Sequence, residues 1–488
     1  MSVDLERLIR HGLAWSLASA LTLRLGSLVL GIVLARLLTP GEFGVYAVAL
    51  TVQTVLVTLA DLALSAYLVH TTDPERRAPT VATLGLLAGM ALTGAMALSA
   101  RVVADLFGAQ AAAPVIVVLS FTLLVSGIGV VPFGMLQRNF EQKKLFAASA
   151  TDFAVGTAVA ILLVVLGLGP MALAVARLVA QSCGTAVQFV LSKRRPQFGF
   201  DRVEARPALR FGIPIASANL LSWLLLNVDN MVIARVAGEA ALGLYVLAFN
   251  VSSWPMTAIG QAVRSVALAA FSETARGQPR GIAAARDRGL AVGTAFTWAA
   301  AVPAGVLLAV LSVPLVRLLY GDRWIPSAAA LAALGLFGAL RVLFDMIATY
   351  LMARGAARPV LWIQALWIVA LVPAMILGTR HYGIAGGGWA HVIIGAVVVL
   401  PMYLLAARRV GADIAAVVRA LVPPVLAAGP AWLVAHLVSR QLDTPVVALL
   451  CGGTVGLAVY VGLLHRWLSR LRQSTRSRST ELMAEGAT

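Results

Sequence analysis

Val33-Leu34-Ala35-Arg36, followed by Gly44-Val45-Tyr46 and Ala49, returns 199 residues later as Val232-Ile233-Ala234-Arg235, Gly243-Leu244-Tyr245 and Ala248, with no gap between the copies. Six of the seventeen aligned positions are identical. Alanine matches carry little weight in so alanine-rich a chain. Arginine, glycine and tyrosine at fixed spacing, each time between two long apolar runs, mark a duplicated helical unit. In a membrane protein, two copies of one helix bundle imply a transporter built from pseudo-symmetric halves.

The 488 residues are 60% hydrophobic and 12% charged. Apolar runs long enough to cross a bilayer recur along the whole length, which excludes a soluble globular protein. Residues 12–34 carry Arg24 near their centre and lead directly into the repeat, so they read as a retained span and not as a signal peptide. Cys183 and Cys451 both sit inside apolar runs. They offer no disulfide framework and no metal-ligand spacing, and no cofactor is expected.

The pattern predicts an all-α integral membrane protein of about fourteen transmembrane helices. It divides into a lobe over residues 1–200, a second lobe over 201–410, an additional helix pair over 411–466 and a basic tail over 467–488. The lobes, six helices each, meet at a polar linker that contains Pro196, Pro207 and six basic residues.

A net charge of +17 suggests nucleic acid in a soluble protein, but location decides otherwise. With both termini on the cytoplasmic side, most Lys and Arg fall on inner segments, as the positive-inside rule expects. Lys193-Arg194-Arg195, Arg408-Arg409 and the tail from Arg466 to Arg478 then read as a topology signal with attraction to anionic lipid, and nucleic acid is not an expected partner. Outer loops are too short for a catalytic domain. Residues 411–419 read as a separate interfacial helix, with Ile414, Val417 and Val418 opposite Asp413.

Pro132, Pro214, Pro255, Pro303, Pro373 and Pro401 lie within spans, either as hinges or as static packing features. Gly386-Gly387-Gly388 reads as close helix contact. Gly127 to Gly134 lacks the Lys-Ser/Thr ending of a phosphate-binding loop, which leaves direct ATP coupling unsupported.

Eight ionisable side chains fall within the spans: Arg24, Arg177, Arg264, Arg341, Asp61, Asp152, Asp229 and Asp345. A charge at bilayer centre costs ~2.5 to 3.5 kcal/mol on insertion scales, so it normally faces a partner or a wet cavity. Arg341 and Asp345, four apart on one helix, are placed to pair. Asp152 is near enough to the inner end of its helix to reach headgroups, and Arg177 near enough to the outer end to snorkel.

Arg24 lies midway along the first helix, roughly 15 Å or more from either surface at 1.5 Å per residue, which favours a hydrated cavity. Arg264 lies in the inner third of the eighth helix. Their repeat counterparts are Trp223 and Ser65, so these arginines break the symmetry that a purely architectural role would keep. Asn227 and Asp229 add polar groups near the outer end of the seventh helix. Guanidinium groups suit a diphosphate because they stay charged and bind phosphate oxygens in pairs. All but three of the 38 basic residues are arginine, so only position is informative.

The segment Ala35-Arg36-Leu37-Leu38-Thr39-Pro40-Gly41-Glu42-Phe43-Gly44-Val45-Tyr46 resembles the A-R-x-L-x-P-x-x-F-G-x-Y signature of polysaccharide and oligosaccharide flippases. These belong to the multidrug/oligosaccharidyl-lipid/polysaccharide exporter superfamily. Arg210-Phe211-Gly212-Ile213-Pro214 and Asn227-Val228-Asp229-Asn230-Met231-Val232-Ile233 look like the matching entry to the second half.

The resemblance implies a bacterial inner-membrane carrier with two lobes around a cationic cavity. It moves undecaprenyl-diphosphate-linked oligosaccharide outward by alternating access. It also implies that Arg24 and Arg264 hold the diphosphate, with membrane lipids and polysaccharide assembly machinery as partners. Asp61, with Asn227 and Asp229, is a cavity or coupling candidate. Arg36, Gly44, Tyr46, Arg235, Gly243 and Tyr245 are structural, serving folding and gating at the outer rim.

A cation-coupled multidrug exporter of the same architecture would want carboxylates dominating the cleft, and Arg24 argues against it. A membrane glycosyltransferase or polymerase would place catalytic acids on sizeable outer loops. Here the outer acids Glu42, Asp105, Glu239, Asp322 and Asp443 sit on short ones.

Overall fold

Thr39, Pro40 and Glu42 set the start of the second helix. In the computed structural model, which describes residues 26–275 and 283–485, α1 covers Gly26–Leu37 and α2 (Pro40–Asp61) opens with a capping box. The Glu42 amide donates to Thr39 Oγ1 at 3.3 Å, while the Thr39 amide and hydroxyl each donate to Glu42 Oε2 at 2.8 Å. Pro40 fits the first turn, where its missing N–H would have no helical partner. Thr39→Ala is expected to cost about 1 kcal/mol, read as a lower thermal midpoint in detergent. An unchanged midpoint would mean the box contributes nothing.

Helix follows helix from there. The first half continues with α3 (Leu64–His70), α4 (Pro74–Phe107), α5 (Ala112–Arg138), α6 (Gln142–Val165) and α7 (Pro170–Ser192). The second copy of the repeat starts with α8 (Arg202–Leu226), α9 (Val228–Ala237) and α10 (Glu239–Ala275). After it come α11 (Ala283–Val310), α12 (Ser312–Tyr320), α13 (Ser327–Ala353), α14 (Ala357–Ile394), α15 (Leu400–Arg409), α16 (Ile414–Arg440) and α17 (Pro445–Glu485). No strand occurs among the described residues.

Eleven helices among the described residues are long and apolar enough to cross a membrane. One of them, Ala357–Arg409, is two apolar stretches. Tyr382 and Gly383 leave helical geometry, and Gly378 lies backbone to backbone on Gly386. In a straight helix those two residues would be about 12 Å apart, so the chain reverses between them. Gly388 packs on Ala330 and Ala333, and the three-glycine run thus serves close contact. A π-helical turn, Gly395–Val399, precedes Pro401 and absorbs the carbonyl that the proline leaves without a donor.

Large apolar side chains point outward along these helices, with Leu98 88% and Leu426 70% exposed. In water such a surface would aggregate; in lipid it is the expected face. The protein is a multi-pass membrane protein.

Contacts divide the chain into two units between Gly243 and Leu244. In the first unit α4 crosses α5 through small residues: a β-carbon at Gly127 would overlap the Gly85 carbonyl, Gly89 lies on Leu123 and Leu124, and Thr93 Oγ1 donates to the Ser120 carbonyl at 2.9 Å. Gly127, Gly129 and Gly134 are all used in packing, not in a phosphate loop. In the second unit α11 crosses α13 in the same manner, at Gly305 and Gly335. Close backbone approach is how membrane helices associate without a hydrophobic driving force between them.

The final helix pair belongs to the core of the second unit. Trp298 Nε1 donates to the Leu421 carbonyl at 3.2 Å, and the Tyr460 hydroxyl donates to the Ala299 carbonyl at 3.1 Å. Two expectations change. Residues 414–419 are not a separate interfacial helix but the first turns of α16: Asp413 Oδ1 accepts from the Ala416 amide at 3.0 Å as an N-cap, and the helix runs on through Pro423 and Pro424. Arg341 forms no ion pair with Asp345 among the described residues; Arg341 is exposed while Asp345 has a different partner.

Candidate functional site

The repeat motif meets itself. A β-carbon on Gly44 would overlap the carbonyl oxygen of Glu239, and one on Gly243 would overlap that of Pro40. Pro40 and Glu239 are themselves repeat counterparts, 199 residues apart, so the contact between the starts of α2 and α10 is nearly two-fold symmetric. Glycine is required at both positions because any side chain would collide with backbone.

The tyrosines are less symmetric. Tyr245 is fully buried, whereas Tyr46 is partly buried beside the cluster of Leu34, Leu38, Ala172 and Leu173. Arg36 and Arg235 are both exposed; Arg36 has a partner, and Arg235 has none among the described residues.

One and a half turns further along α2, a polar network crosses the first unit. Asn230 Nδ2 donates to Thr51 Oγ1 at 3.3 Å and to Asn227 Oδ1 at 3.4 Å, and Asn227 Nδ2 donates to the Trp223 carbonyl at 2.8 Å. Asp229 is buried, and its Oδ1 accepts the Asn230 amide at 2.9 Å. On the next face of α2, Gln53 Nε2 donates to Thr122 Oγ1 at 3.1 Å, and Gln181 Nε2 donates to the Thr122 carbonyl at 3.0 Å. Each of these amide nitrogens finds an acceptor, as a polar group in lipid requires, although Gln181 Oε1 is buried without a hydrogen-bond partner among the described residues.

Asp61 stands apart from that network, at a break in the second span. Leu62 and Ala63 both take positive φ, 47° and 51°, and the helix resumes at Leu64. Two left-handed non-glycine residues in succession cost roughly 1–2 kcal/mol each. The surroundings hold them: Ser65 donates to Asp61 through its hydroxyl at 2.8 Å and its amide at 3.3 Å. Gly212 of α8 approaches so closely that a β-carbon there would overlap the Leu62 carbonyl. That is the physical role of the glycine in Arg210-Phe211-Gly212-Ile213-Pro214. Ser65 is the repeat counterpart of Arg264, so the break falls where symmetry places that arginine's own level.

Beyond the break, charged groups tie four helices together. Arg138 Nη1 donates to the carbonyls of Leu68, Val69 and Thr71 at the end of α3. Arg77 donates to Tyr67 Oη at 2.9 Å and to Thr71, lies 5.6 Å from the Tyr67 ring centre, and pairs with the buried Glu204 of α8 at 2.8 Å. Arg76 pairs with Glu204 at 3.3 Å, and Arg194 clasps Glu75. Arg194 sits on the polar linker, and its hydrogen bonds to Glu75 raise its pKa above the ordinary arginine value.

Arg24 lies outside the described residues. Arg264 falls on α10, and its side chain lies outside the described residues. Asn227 and Asp229 both bond Asn230, while Asp61 bonds Ser65 at the helix break. Arg177 and Asp152, expected to reach opposite surfaces, instead approach each other at 3.5 Å between α7 and α6.

Asn230, Thr51, Gln53, Thr122 and Gln181 escape a reading confined to ionisable groups. A search for amides at mid-span would have found the two glutamines. Glu204, Arg76, Arg77 and Arg138 are visible in the sequence only as charges on inner segments.

The family described as polysaccharide biosynthesis protein matches residues 33–329. The chain is 25% identical over 472 residues to the succinoglycan biosynthesis transport protein ExoT of Rhizobium meliloti (strain 1021), covering 93% of each chain. It is 24% identical over 379 residues to the lipopolysaccharide biosynthesis protein WzxC of Escherichia coli (strain K12), covering 77% of this chain and 76% of that one. Its fold is similar to that of the lipid II flippase MurJ in an inward closed conformation, with a TM-score of 0.76 and 16% identity over 94% of this chain and 99% of that one. Repeat, helical membrane fold and family match agree, and the chain belongs to the polysaccharide biosynthesis protein family.

Proposed function

We propose that this protein is a flippase that carries a lipid-linked oligosaccharide, held on undecaprenyl diphosphate, across the bacterial inner membrane by alternating access. It works as a carrier and not as an enzyme, with both termini cytoplasmic. The observation that carries this reading is the end-to-end match to a relative named as a transport protein, 93% of both chains. A fold similar to that of a lipid II flippase along 94% of the chain supports it.

In this reading residues 1–200 and 201–410 are the lobes, with 411–466 an added pair. Arg24 and Arg264 receive the diphosphate, each able to donate two hydrogen bonds to phosphate oxygens. Asp61 sits at a broken helix, the kind of place where transporters put substrate and ion sites. Its only partner among the described residues is Ser65, so an arginine can exchange with that serine when substrate leaves. Asn227 and Asp229, with Asn230 and Thr51, set a polar surface for the glycan.

Proteoliposomes loaded with radiolabelled lipid-linked oligosaccharide test the assignment. Arg24→Ala and Arg264→Ala are each expected to lower the initial rate about tenfold, the worth of ~1.4 kcal/mol and the low end for a charged hydrogen bond. The lysine variants retain part of the rate, because charge survives while the paired geometry does not. Full rates in both alanine variants would remove these residues from the site.

A further inference from the structure

We infer that the start of α8 carries a discrete binding site for one anionic phospholipid of the surrounding leaflet. Arg202, Arg206 and Arg210 recur every four residues and share one exposed face of the helix. None has an ion-pair or hydrogen-bond partner among the described residues. Eight residues of helix rise about 12 Å, so the three guanidinium groups form a ladder along that face. They line a groove of about 620 Å³ whose remaining wall is apolar, with Phe200, Leu209 and Ile213 its largest members.

The opposite face of the same helix is engaged elsewhere. Glu204 is held by Arg76 and Arg77, and Ala208 is buried. The ladder therefore cannot turn inward to find carboxylates of its own. Phe200 is fixed by the linker that carries it: Thr83 Oγ1 donates to the Gly199 carbonyl at 2.8 Å, and the Asp201 amide donates to Thr80 Oγ1 at 3.3 Å. Phe200 and Ile213 remain more than half exposed, an arrangement suited to acyl chain and not to water.

Charge complementarity selects the occupant. Three unpaired cations beside an apolar wall match a phosphate headgroup above an acyl chain, and basic pockets at helix ends recognise anionic headgroups in this way. Apart from the guanidinium groups the wall has nothing to hydrogen-bond a glycan, so the site is distinct from a sugar-binding surface. The inference does not depend on transport, because lipid retention is read without it.

Native mass spectrometry of the purified full chain, titrated with phosphatidylglycerol or phosphatidylcholine, tests it. Wild type is expected to bind one phosphatidylglycerol at least tenfold more tightly than phosphatidylcholine, and more weakly at high salt. R202Q/R206Q/R210Q lowers that affinity at least tenfold, whereas neutralising three exposed arginines elsewhere, R101Q/R380Q/R440Q, changes it less than twofold. Should the first triple variant fail to fold, Arg206→Gln alone is expected to lower affinity about threefold. Equal losses in both triple variants would reduce the effect to diffuse surface attraction and overturn the site. So would unchanged affinity, equal binding of phosphatidylcholine, or displacement by polyprenyl diphosphate at lower concentration.

Discussion

Gly44→Val is expected to reduce transport about a hundredfold while the protein still reaches the membrane, and Gly243→Val is expected to do the same. The reason is steric and symmetric. Each glycine lies on the carbonyl oxygen of the other copy's helix start, Gly44 on Glu239 and Gly243 on Pro40. A side chain at either position forces α2 and α10 apart. Overpacking at a tight contact costs typically 1–3 kcal/mol. A conformer destabilised by ~2.7 kcal/mol is populated about a hundredfold less, and a carrier that must pass through it slows accordingly.

Symmetry makes the prediction sharper. Both glycines guard one contact, so the double valine variant is expected to be little worse than either single one, a coupling that independent sites would not give. The matching measurement is maleimide labelling of a cysteine at Gly41 in a protein without Cys183 and Cys451. Labelling from the outside rises in the valine variants if this contact closes the outer end. Additive losses, or labelling that does not change, would separate the glycine contact from gating.

The repeat is legible in sequence because glycine, arginine and tyrosine have few substitutes where backbones touch. Gly44 and Gly243 carry that information openly, and so does Gly212. What they touch is not legible. Gly212 lies on the Leu62 carbonyl at a helix break, and nothing in Asp61-Leu62-Ala63-Leu64 announces that break. Leucine and alanine disfavour positive φ, and the surroundings impose it.

Periodicity finds the spans, yet it reads 411–419 as a separate surface helix because hydropathy falls there, while the backbone continues unbroken through α16. Charge within a span points to a partner, but partners distant in sequence are invisible. Asp152 and Arg177 meet across two helices. Arg341 does not take the neighbour that its i,i+4 spacing offered. Glu204, three residues before Pro207 of the linker, gives no hint that it is buried.

That burial makes Arg77→Ala the most destabilising single change expected in the first unit, at roughly 3–5 kcal/mol. Glu204 is 8% exposed, and Arg77 holds it at 2.8 Å. Removing the guanidinium leaves a carboxylate with only Arg76, at 3.3 Å and itself two-thirds exposed. The same substitution takes away the hydrogen bond to Tyr67 Oη and the cation above its ring. Three helices, α3, α4 and α8, lose their common anchor at once.

Glu204→Gln should cost less, about 1–2 kcal/mol, because the amide oxygen still accepts and no charge is stranded. Arg77→Met with Glu204→Met should fall below the sum of the two single methionine changes, since neither ion is then left unpaired. Arg177→Ala makes a useful comparison. Its pair with Asp152 is 3.5 Å long and 43% exposed on the arginine side, longer and less enclosed than the pair at Glu204, so its loss is expected to cost less than Arg77→Ala. Thermal unfolding of these variants in one detergent ranks them. If Arg177→Ala proves as damaging as Arg77→Ala, burial at Glu204 is not what holds α8 to the first half, and the anchoring has to come from the glycine contact at Leu62 instead.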